Sequence, residues 1–438
     1  MKTAFYLCVL SAALAAPCLS ADPIVDLTVT PDREAVHPKS GRDTILQVEI
    51  TARPSTKKRT TPLNLTLVLD RSGSMRGAKL EKARQAACAA LRQLGKDDIF
   101  SLVTYDDNVE VLIPPQKNRD RDELEAKINS IEPGGSTALY AGVKTGAAEL
   151  RKFIDDEHVN RIVLLSDGLA NSGPSSPREL ARLGVSLREE GISVSTVGLG
   201  DDYNEDLMTA LAEASRANYY YVRDVEKLPG IFKEELGVSQ SIVARKMDVV
   251  LKLAEGVEPR GVLGESGMKF EGNTLRIPIE DLAAGQKRRF LVACRVPAGA
   301  KDSIKLAEAK LEYSDAESGT RLAANATAKV RIAATDEESD RTVVRDVAVN
   351  AAITGNRLAK EQAVRLVDEG RPLEAASLLL KQAAANCSLP AVAHSSLLDS
   401  ETENITLNAN YLNENGNFTN VQRKEFQLQN YQDRNQKR

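Results

Sequence analysis

Between Asn64 and about Gly237 the chain alternates near-continuous apolar runs with amphipathic segments of helical period, and this alternation narrows the possible folds more than any other feature. The runs "NLTLVLD", "IFSLVTYD", "RIVLLSDG" and "ISVSTVGLG" have no wet face, so they read as strands buried on both sides. The segments "KLEKARQAACAALRQL", "LYAGVKTGAAELRKF", "PRELARLGVSLREE" and "NEDLMTALAEAS" supply the helices that cover them. Such an order predicts an α/β domain with a doubly wound, mostly parallel, Rossmann-like sheet. Only "VEVLIPP", following closely on "TYDDN", reads as an antiparallel edge hairpin. In an open sheet of this type, binding groups collect at the carboxyl ends of the strands.

Alternating strand patterns flank this unit on both sides. Two early strands, in "PIVDLTVTPD" and "TILQVEITARP", cannot bury a face alone. They are predicted to join the later strands in one β-sandwich, into which the α/β domain is inserted. In "FLVACRV", Phe290, Val292, Cys294 and Val296 share a face, which makes Cys294 a core residue. Beyond the charged junction "ATDEESDR", helical periodicity on both sides of Gly370-Arg371-Pro372 predicts an αα-hairpin. The Asn- and Gln-rich end predicts a helix over about 420 to 435 with fraying or disorder. The expected divisions are a signal peptide (1–21), early sandwich strands (22–59), the α/β domain (60–238), the rest of the sandwich (239–334) and a helical C-terminal region (335–438).

With 438 residues, 42% hydrophobic and 27% charged, the chain suits two or three globular domains. Its net charge of −4, without a basic stripe, speaks against nucleic acid as a partner. The start "MKTAFYLCVLSAALAAPCLSADP" reads as a cleaved export signal, placing the mature protein in the periplasm, on the cell surface or outside the cell. Pro17 stands where lipid processing at Cys18 wants a small residue, so a lipid anchor is not expected. No later segment offers about 20 consecutive apolar residues, so no transmembrane segment is expected. Cys88, Cys294 and Cys387 are too scattered for a disulfide framework. His37, His158 and His394 are equally scattered, which leaves little for a zinc cluster or a His-based triad.

The stretch "LTLVLDRSGSMRGAKL" ends an apolar strand in Asp70, Ser72 and Ser74, three oxygen-bearing side chains at alternating positions. A helix cap would use the same residue types. "PGGSTALYAGV" places Thr137 just before a helix, and "RIVLLSDGLANSG" places Asp167 at the carboxyl end of another buried strand. In a doubly wound sheet these loops converge, and five oxygens then surround one point. Hard oxygen donors without thiolate or imidazole select Mg²⁺, Mn²⁺ or Ca²⁺ over zinc.

"DRSGSM", "GGSTAL" and "LLSDG", in this order, resemble the metal-ion-dependent adhesion site of the von Willebrand factor A-type domain, over about residues 60 to 238. "TYDDNVEVL" and "VSTVGLGDDYNEDLM" resemble bacterial exported members labelled as calcium-activated chloride-channel-like. The resemblance implies Ser72, Ser74 and Thr137 as direct hydroxyl ligands, with Asp70 and Asp167 contacting the metal directly or through water. Mg²⁺ is the expected ion, with Mn²⁺ and Ca²⁺ as alternatives. It further implies a protein partner whose Asp or Glu completes the coordination, met by loops carrying Arg71, Gly73, Gly135, Ser136 and Gly168. Gly73, Gly134, Gly135 and Gly168 are expected to let the backbone turn tightly. The α/β domain enters and leaves at its opposite face, so the sandwich is expected to hang there and leave the metal face open.

The function expected is cation-dependent protein binding, in adhesion or assembly, rather than catalysis. No Walker loop, no G-x-S-x-G elbow and no His base near the site support an enzyme, and a Mg-dependent hydrolase is the weaker alternative. A structural assembly factor that binds through its helical tail is the other. Sequence alone sets no oligomeric state.

Overall fold

The computed structural model describes residues 23–37, 42–54, 61–117, 120–155, 157–170, 172–265, 267–279, 281–298, 303–388 and 395–435. The export signal expected over 1–21 lies outside them. The described residues begin with three strands, β1 (Val25–Pro31), β2 (Ala35–Val36) and β3 (Arg42–Ala52). There follow β4 (Leu63–Asp70), α1 (Ala78–Gln93), β5 (Ile99–Tyr105), β6 (Val109–Lys117), α2 (Arg121–Asn129), α3 (Leu139–Arg151) and β7 (Val159–Ser166). The α/β unit closes with α4 (Pro177–Glu189), β8 (Ile192–Leu199), α5 (Glu205–Ala214), β9 (Tyr219–Val222) and α6 (Leu228–Gln240).

Its six strands lie in the order β6-β5-β4-β7-β8-β9, all parallel except β6, which pairs antiparallel with β5 at the edge. Every residue of β4, β5 and β7 is buried, which is why their sequences carry no alternation. One sheet face is closed by α1, α2 and α6, the other by α3, α4 and α5. Close packing needs small residues: a Cβ on Gly146 of α3 would stand 2.6 Å from Val68 Cγ2, and one on Gly142 2.9 Å from the Tyr105 ring. The strand order reverses beside β4, whose neighbours are β5 and β7. The carboxyl end of β4 therefore faces the crevice where such sheets bind ligands.

The second body contains β10 (Ile242–Leu253), β11 (Glu258–Val262), β12 (Phe270–Glu271), β13 (Thr274–Ile279), β14 (Leu282–Ala283), β15 (Lys287–Val296), β16 (Ser303–Asp315) and β17 (Arg321–Ile332). One sheet runs β1-β3-β15-β11 and the other β12-β13-β10-β16-β17-β2, with β14 beside β10. The early strands complete the first sheet: β3 pairs with β1 on one side and with β15 on the other. A single apolar core joins the two sheets and includes Val48, Val249, Val292, Cys294 and Leu311. Burial pushes the Cys294 thiol up to about 12, so it is packing and not a nucleophile. The sandwich meets the α/β domain at the amino ends of its strands, where Arg245 donates to the His158 carbonyl just before β7.

The C-terminal region comprises α7 (Asp336–Asp340), α8 (Arg345–Asp368), α9 (Pro372–Cys387), α10 (Ser396–Asn415) and α11 (Asn420–Asn435). Gly370, at φ 76°, turns α8 into α9. The Asn- and Gln-rich end is not frayed over its described residues. Within it Asn408 donates to the Asn404 carbonyl at 2.8 Å, and Gln427 donates to Asp206 of α5 at 2.7 Å. Helix α11 docks on the α/β domain: the Tyr431 hydroxyl donates to the Ala217 carbonyl, and its ring meets Tyr219 edge-on at 5.9 Å.

Candidate metal centre

Strand β4 ends at Asp70, a fully buried carboxylate. Its Oδ1 accepts the Ser72 amide at 2.8 Å and its Oδ2 the Ser166 hydroxyl at 2.7 Å. Burial pushes its carboxyl up to about 6, against the hydrogen bonds from Ser72 and Ser166 that hold it down. The Ser72 and Ser74 hydroxyls lie 3.1 Å apart, and Ser74 donates to Asp167 Oδ1 at 2.7 Å. Asp167 follows directly on β7 and is fully buried. Thr137 precedes α3 and reaches the same place. A Cβ built on Gly168 would stand 3.1 Å from Thr137 Oγ1, 3.4 Å from Ser74 Oγ and 3.9 Å from Ser72 Oγ, so the three hydroxyls surround one point.

Three loops are laced together around that point by their main chains. Gly73 donates to the Gly135 carbonyl at 2.9 Å, Gly134 to that of Arg71 at 2.6 Å, and Ala138 to that of Asp106 at 3.0 Å. The result is a cleft of about 360 Å³ lined by Ser72, Ser74, Thr137, Asp167, Ser136 and Asp202, among others. The glycines act differently from the expectation. Gly73, Gly134, Gly135 and Gly168 do not take positive φ. Gly134 and Gly135 provide room: a Cβ on Gly134 would meet the Asp106 carboxylate at 1.8 Å, and one on Gly135 that of Asp107 at 1.7 Å. Arg71, expected beside the partner, turns away and pairs with Asp106 at 3.1 Å and Glu110 at 3.0 Å. Gly73, Gly135, Ser136 and Gly168 do line the cleft.

Sequence reasoning missed two residues. Ser166, one position before Asp167, anchors Asp70; its place at the end of a buried strand was the available signal. Lys79 sets its ammonium 2.5 Å from Asp167 Oδ2, on the side away from Ser74. It is the second residue of α1, and only the fold brings it to Asp167. Among the described residues there is no group of three or more His, Cys, Asp or Glu that could hold a metal ion. The donor set is instead three hydroxyls and two carboxylates, which fits a hard divalent cation.

A family model for the von Willebrand factor type A domain matches residues 64–234. The chain is 26% identical over 295 residues to the uncharacterized protein sll0103 of Synechocystis sp., covering 65% of this chain and 69% of that one. It is also 26% identical over 245 residues to the uncharacterized protein YfbK of Escherichia coli, covering 56% of this chain and 42% of YfbK. It thus spans about two-fifths of the length of YfbK. Among solved structures, a von Willebrand factor type A protein from Catenulispora acidiphila superposes with a TM-score of 0.66 at 18% identity, over 82% of this chain and 88% of that one. The family model and the structural superposition agree, and residues 64–234 of this chain are a von Willebrand factor type A domain.

Proposed function

We propose that the chain is an exported, non-enzymatic protein that binds a partner protein through a divalent cation held at the mouth of this domain. Domains of this family bind a divalent metal and typically mediate metal-dependent protein interactions. The observation that carries the reading is the convergence of Ser72, Ser74 and Thr137 on one point, backed by buried Asp70 and Asp167. Mg²⁺ is the ion these donors favour, with Mn²⁺ and Ca²⁺ as alternatives. When bound, the cation supplies an electrophilic centre for an acidic group.

The chain's own residues prepare that centre. Hydroxyl ligands add no charge, and the Asp70 and Asp167 carboxylates are already partly satisfied by Ser72, Ser166, Ser74 and Lys79. Of the two charges of Asp70 and Asp167, one is offset by Lys79, so a divalent cation keeps positive charge that a partner's Asp or Glu can meet. The laced loops hold the hydroxyls in place, while Ser136, Gly168 and the exposed Leu169 form a rim for the partner. The sandwich lies at the far end of the sheet and leaves this mouth open. Among the described residues no helix is long and apolar enough to cross a membrane.

The test is calorimetric titration of the purified protein with Mg²⁺, Mn²⁺ and Ca²⁺, beside Thr137→Ala and an Asp70→Ala/Asp167→Ala double variant checked for folding. Saturable binding by the wild type that both variants lose supports the reading. A folded wild type that binds none of the three ions overturns it.

A further inference from the structure

A second cleft, of about 600 Å³, opens at the opposite end of the sheet, between the α/β domain and the sandwich. That volume is in the range of small-molecule sites. Among the described residues its lining carries six cationic side chains, Arg161, Arg188, Arg216, Arg245, Lys246 and Arg288, against three carboxylates. Two of those carboxylates are already engaged from elsewhere: Glu190 by Arg151 and Asp155 by His158. The third, Asp281, faces Arg245 at 3.4 Å. Arg161 is 7% exposed; its guanidinium donates to Ser195 at 3.2 Å and lies 3.4 Å from Glu235, while its Nε is buried with no hydrogen-bond partner. A buried guanidinium left incompletely satisfied beside a cavity is an invitation to an acceptor.

The backbone points to the same place. Among the described residues only two other than glycine have positive φ, Arg216 at 57° and Lys246 at 52°, and both line this cleft. Arg216 follows the cap of α5. Its amide donates to Glu213 and the Ala217 amide to Ala212. The end of α8 makes the same pair of bonds, with Gly370 in that position, and Gly191 stands at the equivalent position after α4. Glycine is the residue this left-handed position favours. Lys246 sits where the pairing of β10 with β16 slips between Arg245 and Asp248, a bulge that re-aims the side chain. At both positions the chain carries a long cation where glycine would be less strained, and strain kept at a cavity points to use.

We propose that this interdomain cleft binds a compact multivalent anion, a phosphate compound or a small polycarboxylate, between the α/β domain and the sandwich. Arg216 reaches it from the end of α5 and Lys246 from the sandwich, so the ligand would bridge the two bodies.

The experiment is calorimetry with pyrophosphate and, separately, citrate, in the absence of divalent cations, on wild type, Arg216→Gly and Lys246→Gly. The wild type is expected to bind at least one probe saturably. Each variant is expected to bind it about ten-fold more weakly while its unfolding midpoint stays level or rises by roughly 2 °C. Binding of pyrophosphate alone assigns phosphate chemistry, binding of citrate alone a carboxylate ligand, and binding of both a general polyanion; each supports the proposal. No saturable binding by the wild type, or equal affinity in both variants, overturns it. Weaker binding accompanied by a lower midpoint also overturns it, because Arg216 and Lys246 would then serve folding alone.

Discussion

At the scale of single residues, the metal mouth is governed by close approach and by counter-charge. Gly134 and Gly135 look alike in sequence but face different neighbours. Asp106, beside Gly134, is buried and fixed by Arg71 and by the Asn108 amide, whereas Asp107, beside Gly135, is exposed. Gly134→Ala is therefore expected to cost about 1–3 kcal/mol and to weaken cation binding. Gly135→Ala should cost less, because Asp107 is exposed and can swing outward, giving up its bond from the Ser136 amide. Thermal unfolding and calorimetry of the two variants check the contrast. Lys79 gives a second expectation. Its ammonium lies 2.5 Å from one oxygen of Asp167 and repels a cation bound near the other. Lys79→Met should tighten Mg²⁺ binding by about ten-fold or more, since a charge this close contributes more than about 1 kcal/mol even at high effective dielectric. Unchanged affinity would mean that Lys79 only packs.

At the scale of elements, the site depends on how helices are tied to the sheet. Gly146 lets α3 lie close against Val68, and α3 carries Thr137 at its start. Gly146→Ala would force a Cβ to 2.6 Å from Val68 Cγ2, an overpacking expected to cost about 1–3 kcal/mol and to shift Thr137. Helices α1 and α2 are joined by a two-pronged pair in which Arg92 donates to both oxygens of Glu125, at 2.7 and 2.5 Å. The Arg92 guanidinium holds the Glu125 carboxyl below its usual range. A depressed folded pKa contributes stability above the unfolded value, about 4.3, and that contribution fades as acid protonates the folded carboxylate. Glu125→Gln is thus expected to lower the unfolding midpoint by about 1 °C at pH 7, with the difference fading as the pH falls below the unfolded value. A midpoint difference that persists in acid would assign the effect to packing instead.

At the scale of the whole molecule, the C-terminal region is part of the fold of the α/β domain. Lys424 pairs with Glu205 at 2.9 Å, Gln427 donates to Asp206 at 2.7 Å, and Tyr431 packs into the same core as α3 and α5. Lys360, fully buried, binds Glu401 at 2.9 Å and Gln429 at 3.2 Å, knitting α8, α10 and α11 together. Tyr431→Ala is expected to cost about 3–5 kcal/mol and to raise amide exchange in α5 and β9, measured by hydrogen exchange. Unchanged protection there would show α11 to be an independent appendage. The same contacts make removal of the tail an unsuitable way to separate a tail-based binding function from the cation site.

The strands, their parallel order and the convergence of the five oxygen-bearing residues were legible in the sequence, because burial on both faces imposes continuous apolar runs and loops at the carboxyl ends of neighbouring parallel strands meet. Cys294 was legible for the same reason, as one member of an alternating face. The role of the glycines, the turning away of Arg71, the arrival of Lys79 at Asp167 and the order of the Asn-rich end were not. Each depends on a neighbour distant in the chain: Asp106 for Gly134, Glu110 for Arg71, β7 for Lys79, α5 for Gln427. Local sequence determines which segments become strand, helix and loop, since those choices rest on periodicity and backbone chemistry. Which side chains end up facing one another across the metal mouth and the interdomain cleft was decided only by packing, because long-range contacts leave no period in the chain that forms them.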